Sequence, residues 1–231
     1  MPGMTRPVLL RVPDEKQSVP CFELSLTPPV RPGWELMGKR TCDVVFSTLG
    51  LLVLSPVFLI LGILVKLQDG GPVFHRRRVI SPRGSFDAFK FRSMRPDADA
   101  VLHGDVAMQG LFERNFKLEH DPRVTPLGAL LRKYSLDELP QLLNVLCGQM
   151  SLVGPRMITA NELPKYGKYQ KLLLSVKPGL TGYWQVHGRQ NVGYSRRVEM
   201  DIYYIRNWSL KLDLRILLHT PSAVMKGSGA F

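Results

Sequence analysis

The chain has 231 residues, enough for one domain with an appendage and a sizeable core, and its 45% apolar content with three tryptophans excludes global disorder. A formal net charge of +12 calls for an anionic partner: nucleic acid, an acidic membrane surface or a phosphorylated small molecule. Cys21, Cys42 and Cys147 are widely spaced with no CxxC pair, which argues against a disulfide framework or a zinc site and for a reducing compartment.

Residues 1–35 read as a poorly ordered tail, since the first 33 residues hold seven prolines and little periodicity. Val44 to Val65 then runs 22 residues without a charge. As a straight helix it would reach roughly 33 Å, enough for a bilayer core of about 30 Å. Ser55-Pro56 interrupts it at the midpoint. Proline removes a backbone donor and collides with the carbonyl four residues earlier, and a neighbouring serine hydroxyl satisfies a freed backbone group where water is absent. Lys39 and Arg40 precede the run and a cationic cluster follows it. Cations at both ends fit a hairpin over residues 36–70 that enters and leaves by the cytoplasmic face; a single crossing with the N-terminus outside is the alternative.

Between Lys66 and Arg95, eight cations face only Asp69 and Asp87, so this stretch carries +6, half the total. Within it "DGGPVF" leads into one strand and "SFDAFKFRSM" reads as a second, with Phe89 and Phe91 on an apolar face and Lys90 and Arg92 on a cationic one. Residues 97–120 give weak helical signals, and the pattern from Arg123 to Leu146 is helical. "SLVGPR" reads as a short strand and turn. "NELPKYGKYQKLLLSV" reads as an amphipathic helix stopped by Pro178-Gly179, and two further helices cover about 195–206 and 210–226, the last stopped or kinked near Pro221. The fold class is α/β, mostly helical with a small sheet, with a membrane hairpin, amphipathic surface helices and a catalytic domain over 71–231.

The acidic pair Asp137-Glu138 sits in "RKYSLDELPQ". Ser135-x-x-Glu138 matches a capping box, and Asp137 as N-cap would place Pro140 in the first turn. The same geometry suits phosphate chemistry. An aspartate at a helix start attacks phosphorus to form an acyl-phosphate, and the adjacent glutamate holds a divalent cation, Mg²⁺ for hard oxygen ligands. Arg132 flanks the pair; Arg156 follows the Gly154-Pro155 turn and Arg189 follows a glycine-rich loop, where guanidinium and backbone meet phosphate. His103, His120, His187 and His219 lack ligand spacing and read as structural or surface residues.

Taken in order, "KRTCD", "SP", "GPVF", "FKFRSM", "LRKYSLDELPQLLNVLCGQMSLVGPR", "VKPGLTGYWQVHGR" and "DIYYIRNWSLKLDLRILLHT" resemble the bacterial sugar transferases that act on polyprenyl phosphate, the monotopic phosphoglycosyl transferases. The resemblance runs from about Gly38 to Thr220. It implies transfer of a phosphosugar, a hexose-1-phosphate by the C-terminal motifs, from a UDP-sugar to undecaprenyl phosphate with release of UMP. It implies Asp137 as nucleophile, Glu138 as its Mg²⁺-associated partner, Arg132, Arg156 and Arg189 with Gly154 and Pro155 as substrate-binding groups, and Asp201 in the matching C-terminal stretch. Ser55-Pro56 matches the break of a re-entrant helix, with Lys39 and Arg40 as headgroup anchors, at the cytoplasmic face of a bacterial inner membrane. It also implies the compact catalytic core of the larger members, serving exopolysaccharide or O-antigen assembly. The chain departs from the family's pattern at "HRRR" (75–78) and at Met157. A homodimer is compatible with the residues and not demanded by them. A tethered nucleic-acid-binding scaffold is the reading that charge alone permits, and it leaves the carboxylates without a role; a phosphohydrolase using the same aspartate would turn over without the lipid.

Overall fold

The computed structural model describes residues 26–115, 118, 121–187 and 192–225. The tail up to residue 25, His120 and Arg189 lie outside the described residues. The chain opens with α1 (Gly33–Val53) and α2 (Ser55–Asp69), followed by strands β1 (Phe74–Ser81) and β2 (Gly84–Phe91). Short helices α3 (Ala98–His103), α4 (Val106–Asn115) and α5 (Pro126–Lys133) come next, then a 3₁₀ turn (Leu136–Glu138) and α6 (Gln141–Leu146). After β3 (Ser151–Val153) the chain forms a 3₁₀ segment (Ala160–Tyr169), α7 (Gln170–Leu173), β4 (Gly179–Thr181), α8 (Tyr183–His187), α9 (Tyr194–Asn207) and α10 (Leu210–Met225).

The fold is mostly helical with two small two-stranded sheets. β1 and β2 pair antiparallel from Phe74↔Phe91 to Ser81↔Gly84, and β3 and β4 pair parallel. Pro82-Arg83 makes the hairpin turn, where the Ser81 hydroxyl accepts from the Arg83 N–H and donates to the Gly84 carbonyl. The β4 strand is new relative to the sequence reading, because three residues are too short for an alternation signal. Its pairing is so close that a Cβ on Gly154 would lie 2.7 Å from the Gly179 nitrogen, so the crossing of these two backbones admits only glycine.

The last helix is present as expected, α10 running from Leu210 through Pro221 to Met225. Two sequence expectations are corrected. "NELPKYGKYQKLLLSV" is not one helix: Pro164 and the non-helical Gly167 (φ 50°, ψ −125°) break it into a 3₁₀ segment and a single α turn. The face of β2 carrying Lys90 and Arg92 is not a free cationic face. Phe86 and Ala88, with the same parity as Lys90, are buried in the main core, while Phe91 packs on the opposite face.

The bend expected at Ser55-Pro56 is present. α1 ends at Leu54, Pro56 occupies the first turn of α2 where its missing N–H costs least, and the Ser55 hydroxyl donates to the Leu52 carbonyl at 2.8 Å. Among the described residues no single helix is long and apolar enough to cross a membrane; α1 and α2 meet that test only as a pair, bent by 61°. Leu49, Leu52, Val53, Leu59, Ile60 and Ile63 around the bend are exposed.

The base of the pair is fastened to the rest of the chain. Lys39 donates to the Val153 carbonyl (2.9 Å) and to Asp213 (2.6 Å), and Arg40 donates to the Val145 and Leu146 carbonyls, both at 2.7 Å. Both side chains thus have partners within the chain: their charges neutralise a buried carboxylate and the C-terminal carbonyls of α6. Buried Asp43 accepts from Ser151 Oγ (3.0 Å) and the Leu152 N–H (2.8 Å), which keys α1 to β3. At the other end Asp69 takes both Nη groups of Arg92, whose Nε donates to the Pro72 carbonyl at 2.7 Å. That fork holds the Asp69 carboxyl down at about 2. Leu61 and Val65 of α2 then share a small core with Phe91, Leu131 and, at its edge, Leu136.

Candidate active site

Leu136 is the residue before Asp137, so the core around α2 directly supports the acidic turn. The turn forms because Ser135 takes a left-handed conformation (φ 53°, ψ 23°), reversing the chain after α5 into the 3₁₀ turn. The Ser135 side chain makes no cap, α6 begins at Gln141, and Glu138 turns away from the Ser135 backbone. Both capping readings of this stretch are thereby corrected. The chain does contain a capping box, at Thr159 and Glu162.

Glu138 points into a cationic pair. Lys90 Nζ donates to Oε1 at 2.6 Å, and Arg156 grips both oxygens, at 2.5 Å to Oε1 and 3.2 Å to Oε2. Burial works against this charge, but Arg156 and Lys90 together outweigh it and hold the Glu138 carboxyl well below the usual carboxylate range. Arg156 is in turn raised, because Glu138 outweighs its own burial.

Asp137 is placed differently. It is buried, 6% exposed, and among the described residues its nearest charge partner is Lys90 at 3.8 Å; no hydrogen-bond donor among them engages it. Burial pushes its carboxyl up, the Glu138 charge adds to that, and Lys90, Arg132 and Arg156 oppose it. One carboxylate is thus ion-paired through Lys90 and Arg156, while its neighbour carries oxygens unengaged by any donor among the described residues. Such a separation of environments gives two adjacent acids different tasks. Among the described residues, the lone pairs free of donors are those of Asp137.

The arginines fall in two classes. Arg132 donates Nε to Ser93 Oγ at 2.9 Å and directs its charge toward Asp137; burial lowers it, with Asp137 opposing. Arg156 lies on the Glu138 side, with Trp184 6.0 Å from its guanidinium and Arg197 stacked 4.9 Å from the same ring. Gly154 and Pro155 do not offer free backbone to phosphate. The Gly154 N–H donates to the Thr181 carbonyl (3.0 Å) and the Pro155 carbonyl accepts from Gly179 (2.8 Å), so their part is to aim Arg156.

Asp201 does not reach the face of the site. It is 1% exposed, accepts from the Tyr166 hydroxyl at 2.8 Å, and lies beneath the Arg156 backbone; burial raises it to about 7. It is a positioning residue for the Arg156 loop rather than a substrate contact.

Lys90 is the site residue that the sequence placed on a cationic strand face without a role. Its parity with the inward Phe86 and Ala88 was the available signal. Asn144, fully buried, fixes the strand that carries it: Phe89 N–H donates to Oδ1 at 3.0 Å and Nδ2 donates to the Asp87 carbonyl at 2.9 Å.

The donor set fits a hard divalent cation in a limited way. Among the described residues no group of three or more His, Cys, Asp or Glu side chains converges. Mg²⁺ needs only one or two carboxylates when substrate phosphates and water supply the rest. Glu138 Oε2, with its single 3.2 Å bond, and Asp137 are the oxygens that would hold it.

The bacterial sugar transferase profile matches residues 34–227. The exopolysaccharide production protein ExoY of Rhizobium meliloti is 46% identical over 202 residues, covering 84% of this chain and 88% of that protein. The undecaprenyl-phosphate galactose phosphotransferase of Salmonella typhimurium is 43% identical over 198 residues, 84% of this chain and 41% of its own. The UDP-glucose:undecaprenyl-phosphate glucose-1-phosphate transferase of Xanthomonas campestris is 37% identical over 223 residues, 93% of this chain and 44% of its own. The chain therefore spans most of an ExoY and less than half of the two larger relatives. The matched segment contains both arms of the bent pair and every residue placed around Asp137, and the chain belongs to the bacterial sugar transferase family.

Proposed function

We propose that this chain transfers a hexose-1-phosphate from a UDP-sugar to undecaprenyl phosphate at the cytoplasmic face of the bacterial inner membrane, starting exopolysaccharide or O-antigen assembly. The observation that carries the reading is the unequal pair: Asp137 buried and, among the described residues, without a hydrogen-bond donor, beside Glu138 ion-paired with Lys90 and Arg156.

An Asp137 oxygen attacks the phosphorus attached to the sugar. The bond from that phosphorus to the bridging oxygen breaks, UMP leaves with the electron pair, and an acyl-phosphate joins Asp137 to the sugar phosphate. A phosphate oxygen of undecaprenyl phosphate then attacks the same phosphorus, forming the lipid diphosphate sugar and returning the Asp137 carboxylate. Lys90, Arg132 and Arg156 stand where charge builds on the transferring phosphoryl group, so the site is preorganised for it. Glu138 and Asp137 would hold Mg²⁺, which would neutralise charge on the diphosphate. The exposed apolar bend of α1 and α2 is read as a re-entrant hairpin, since a continuous exposed apolar surface of this kind marks membrane contact.

The test is UMP release from a panel of UDP-sugars in detergent with Mg²⁺, with and without undecaprenyl phosphate. Sustained release that requires the lipid, for one or two sugars, supports the reading and names the donor. Sustained release without lipid, beyond one UMP per protein, or retained turnover in Asp137→Asn, rejects it.

A further inference from the structure

A cavity of about 200 Å³ lies between the β1–β2 turn, the end of α6 and the loop before β4, with Ser81, Arg83, Ser85, Cys147, Gln149 and Lys177 on its walls. At about 30 Å³ per water, it has room for one phosphoryl group with hydrating water. Its charge is all of one sign. At Gly148, whose φ is +77°, a Cβ would meet Arg40 Nη2 at 3.4 Å and Lys177 Nζ at 3.7 Å, so two cations converge on one point of the backbone. Arg83, third of the group, stands on the exposed turn.

No carboxylate balances them among the described residues. Lys177 forms no ion pair or hydrogen bond there, and Asp43, the acid in reach, is occupied with Ser151 and Leu152. Arg40 is engaged with α6 carbonyls, which carry only partial charge. Lys177 is half-buried; burial, then Arg40 and Arg83, pull it below the ordinary lysine range. Asp43 offsets part of this positive charge, and the excess that remains at a cavity with no carboxylate on its walls favours an anion there. The catalytic pair is elsewhere: Lys90 is seven residues from Arg83 along β2, roughly 23 Å of extended chain.

We propose that the cavity walled by Arg83 and Lys177, with Arg40 beside it at Gly148, is a second anion site that takes a phosphate group, separate from the one around Asp137. The shared chemistry is a phosphate monoanion or dianion, from a lipid headgroup or from a soluble phosphate. Arg40 lies five residues, about 7.5 Å of helix, before the exposed Val45, which brings a headgroup within reach. That arm rests on the membrane reading of α1 and α2; the soluble arm does not.

The test is the labelling rate of Lys177 by an amine-reactive ester, read by peptide mass spectrometry on the full chain in nanodiscs, with exposed Lys211 as control. In neutral phosphatidylcholine discs, inorganic phosphate at about ten times its Kd should slow Lys177 about tenfold, as 1 + [L]/Kd, and leave Lys211 unchanged. Protection without added phosphate in phosphatidylglycerol discs would assign the headgroup as the source. In either case Arg83→Gln should weaken the protection. Chloride at matched ionic strength protecting equally, or no protection in either disc, overturns the proposal.

Discussion

Lys90→Gln tests how the site keeps Asp137 ionised. Lys90 Nζ stands 3.8 Å from Asp137 Oδ2, and both side chains are largely buried. At an effective dielectric constant of about 20, that attraction is about 4 kcal/mol. At about 1.4 kcal/mol per pKa unit it corresponds to about three units, reduced in practice because Arg132 and Arg156 remain and water enters the vacated space. Removing the cation should raise Asp137 further above its ordinary value by about one to three units. The nucleophile is the ionised form, so the acid limb of the pH–rate profile for UMP release should move to higher pH by that amount. The rate should recover as pH rises, whereas Lys90→Arg should leave the limb in place. Glu138 keeps its Arg156 fork in the variant, so the turn retains its fold. A rate that falls equally at every pH, with the limb unmoved, would refute this account and assign Lys90 to the substrate instead.

Gly128→Ala should cost about 1–3 kcal/mol or more, because its Cβ would lie 1.9 Å from the Ser93 carbonyl oxygen. Ser93 positions Arg132, so thermal unfolding should drop and turnover should fall further than the lost stability explains; an unchanged melting temperature would contradict the packing. Burial raises Asp201 to about 7, so folding favours its protonated form; its contribution is full below about pH 4 and is lost as pH rises through 7, of order 4 kcal/mol. Asp201→Asn should therefore flatten the stability difference between pH 5 and pH 8, measured by thermal unfolding, and an unaltered pH dependence would count against the assignment. Pro56→Leu removes the imposed break and should favour a straight helix; cysteine labelling of an introduced tail cysteine should change side, and external labelling in the unmodified chain would exclude the re-entrant reading.

The parts of the fold that were legible were those set by local chemistry. Alternation around Pro82-Gly84 gave β1 and β2, helical periodicity gave α9 and α10, and Ser55-Pro56 gave the bend. The site was legible as the Asp137-Glu138 pair but not as a geometry. Ser135-x-x-Glu138 and Thr159-x-x-Glu162 have the same spacing, yet only the second is a capping box. The first fails because Lys90, 48 positions away, and Arg156, 18 away, claim the Glu138 carboxylate, and a charge-assisted pair outcompetes a cap. The partners of Lys39 and Arg40 were hidden for the same reason: Asp213 and the end of α6, far along the chain, supply them.

Those long-range partners also explain why the bent pair and the site act as one unit. α1 is bolted through Lys39, Arg40 and Asp43 to α6, which follows the acidic turn, and to β3, which leads into the Arg156 loop. α2 is bolted through Asp69–Arg92 to the end of β2, two residues from Lys90, and through Leu61 and Val65 to the core that Leu136 joins. Each arm therefore fixes a different side of the acidic turn. On the membrane reading of the bend, its depth in the bilayer sets the depth of Asp137 through two rigid connections, with no loop between anchor and nucleophile. A lipid phosphate confined to the headgroup layer is then met at a fixed height, which removes a translational search from the second displacement. That need for rigidity accounts for the buried acid Asp43 inside an apolar helix: its bonds to Ser151 and Leu152 fix the α1 register against β3, where apolar contact alone would let the helix slide.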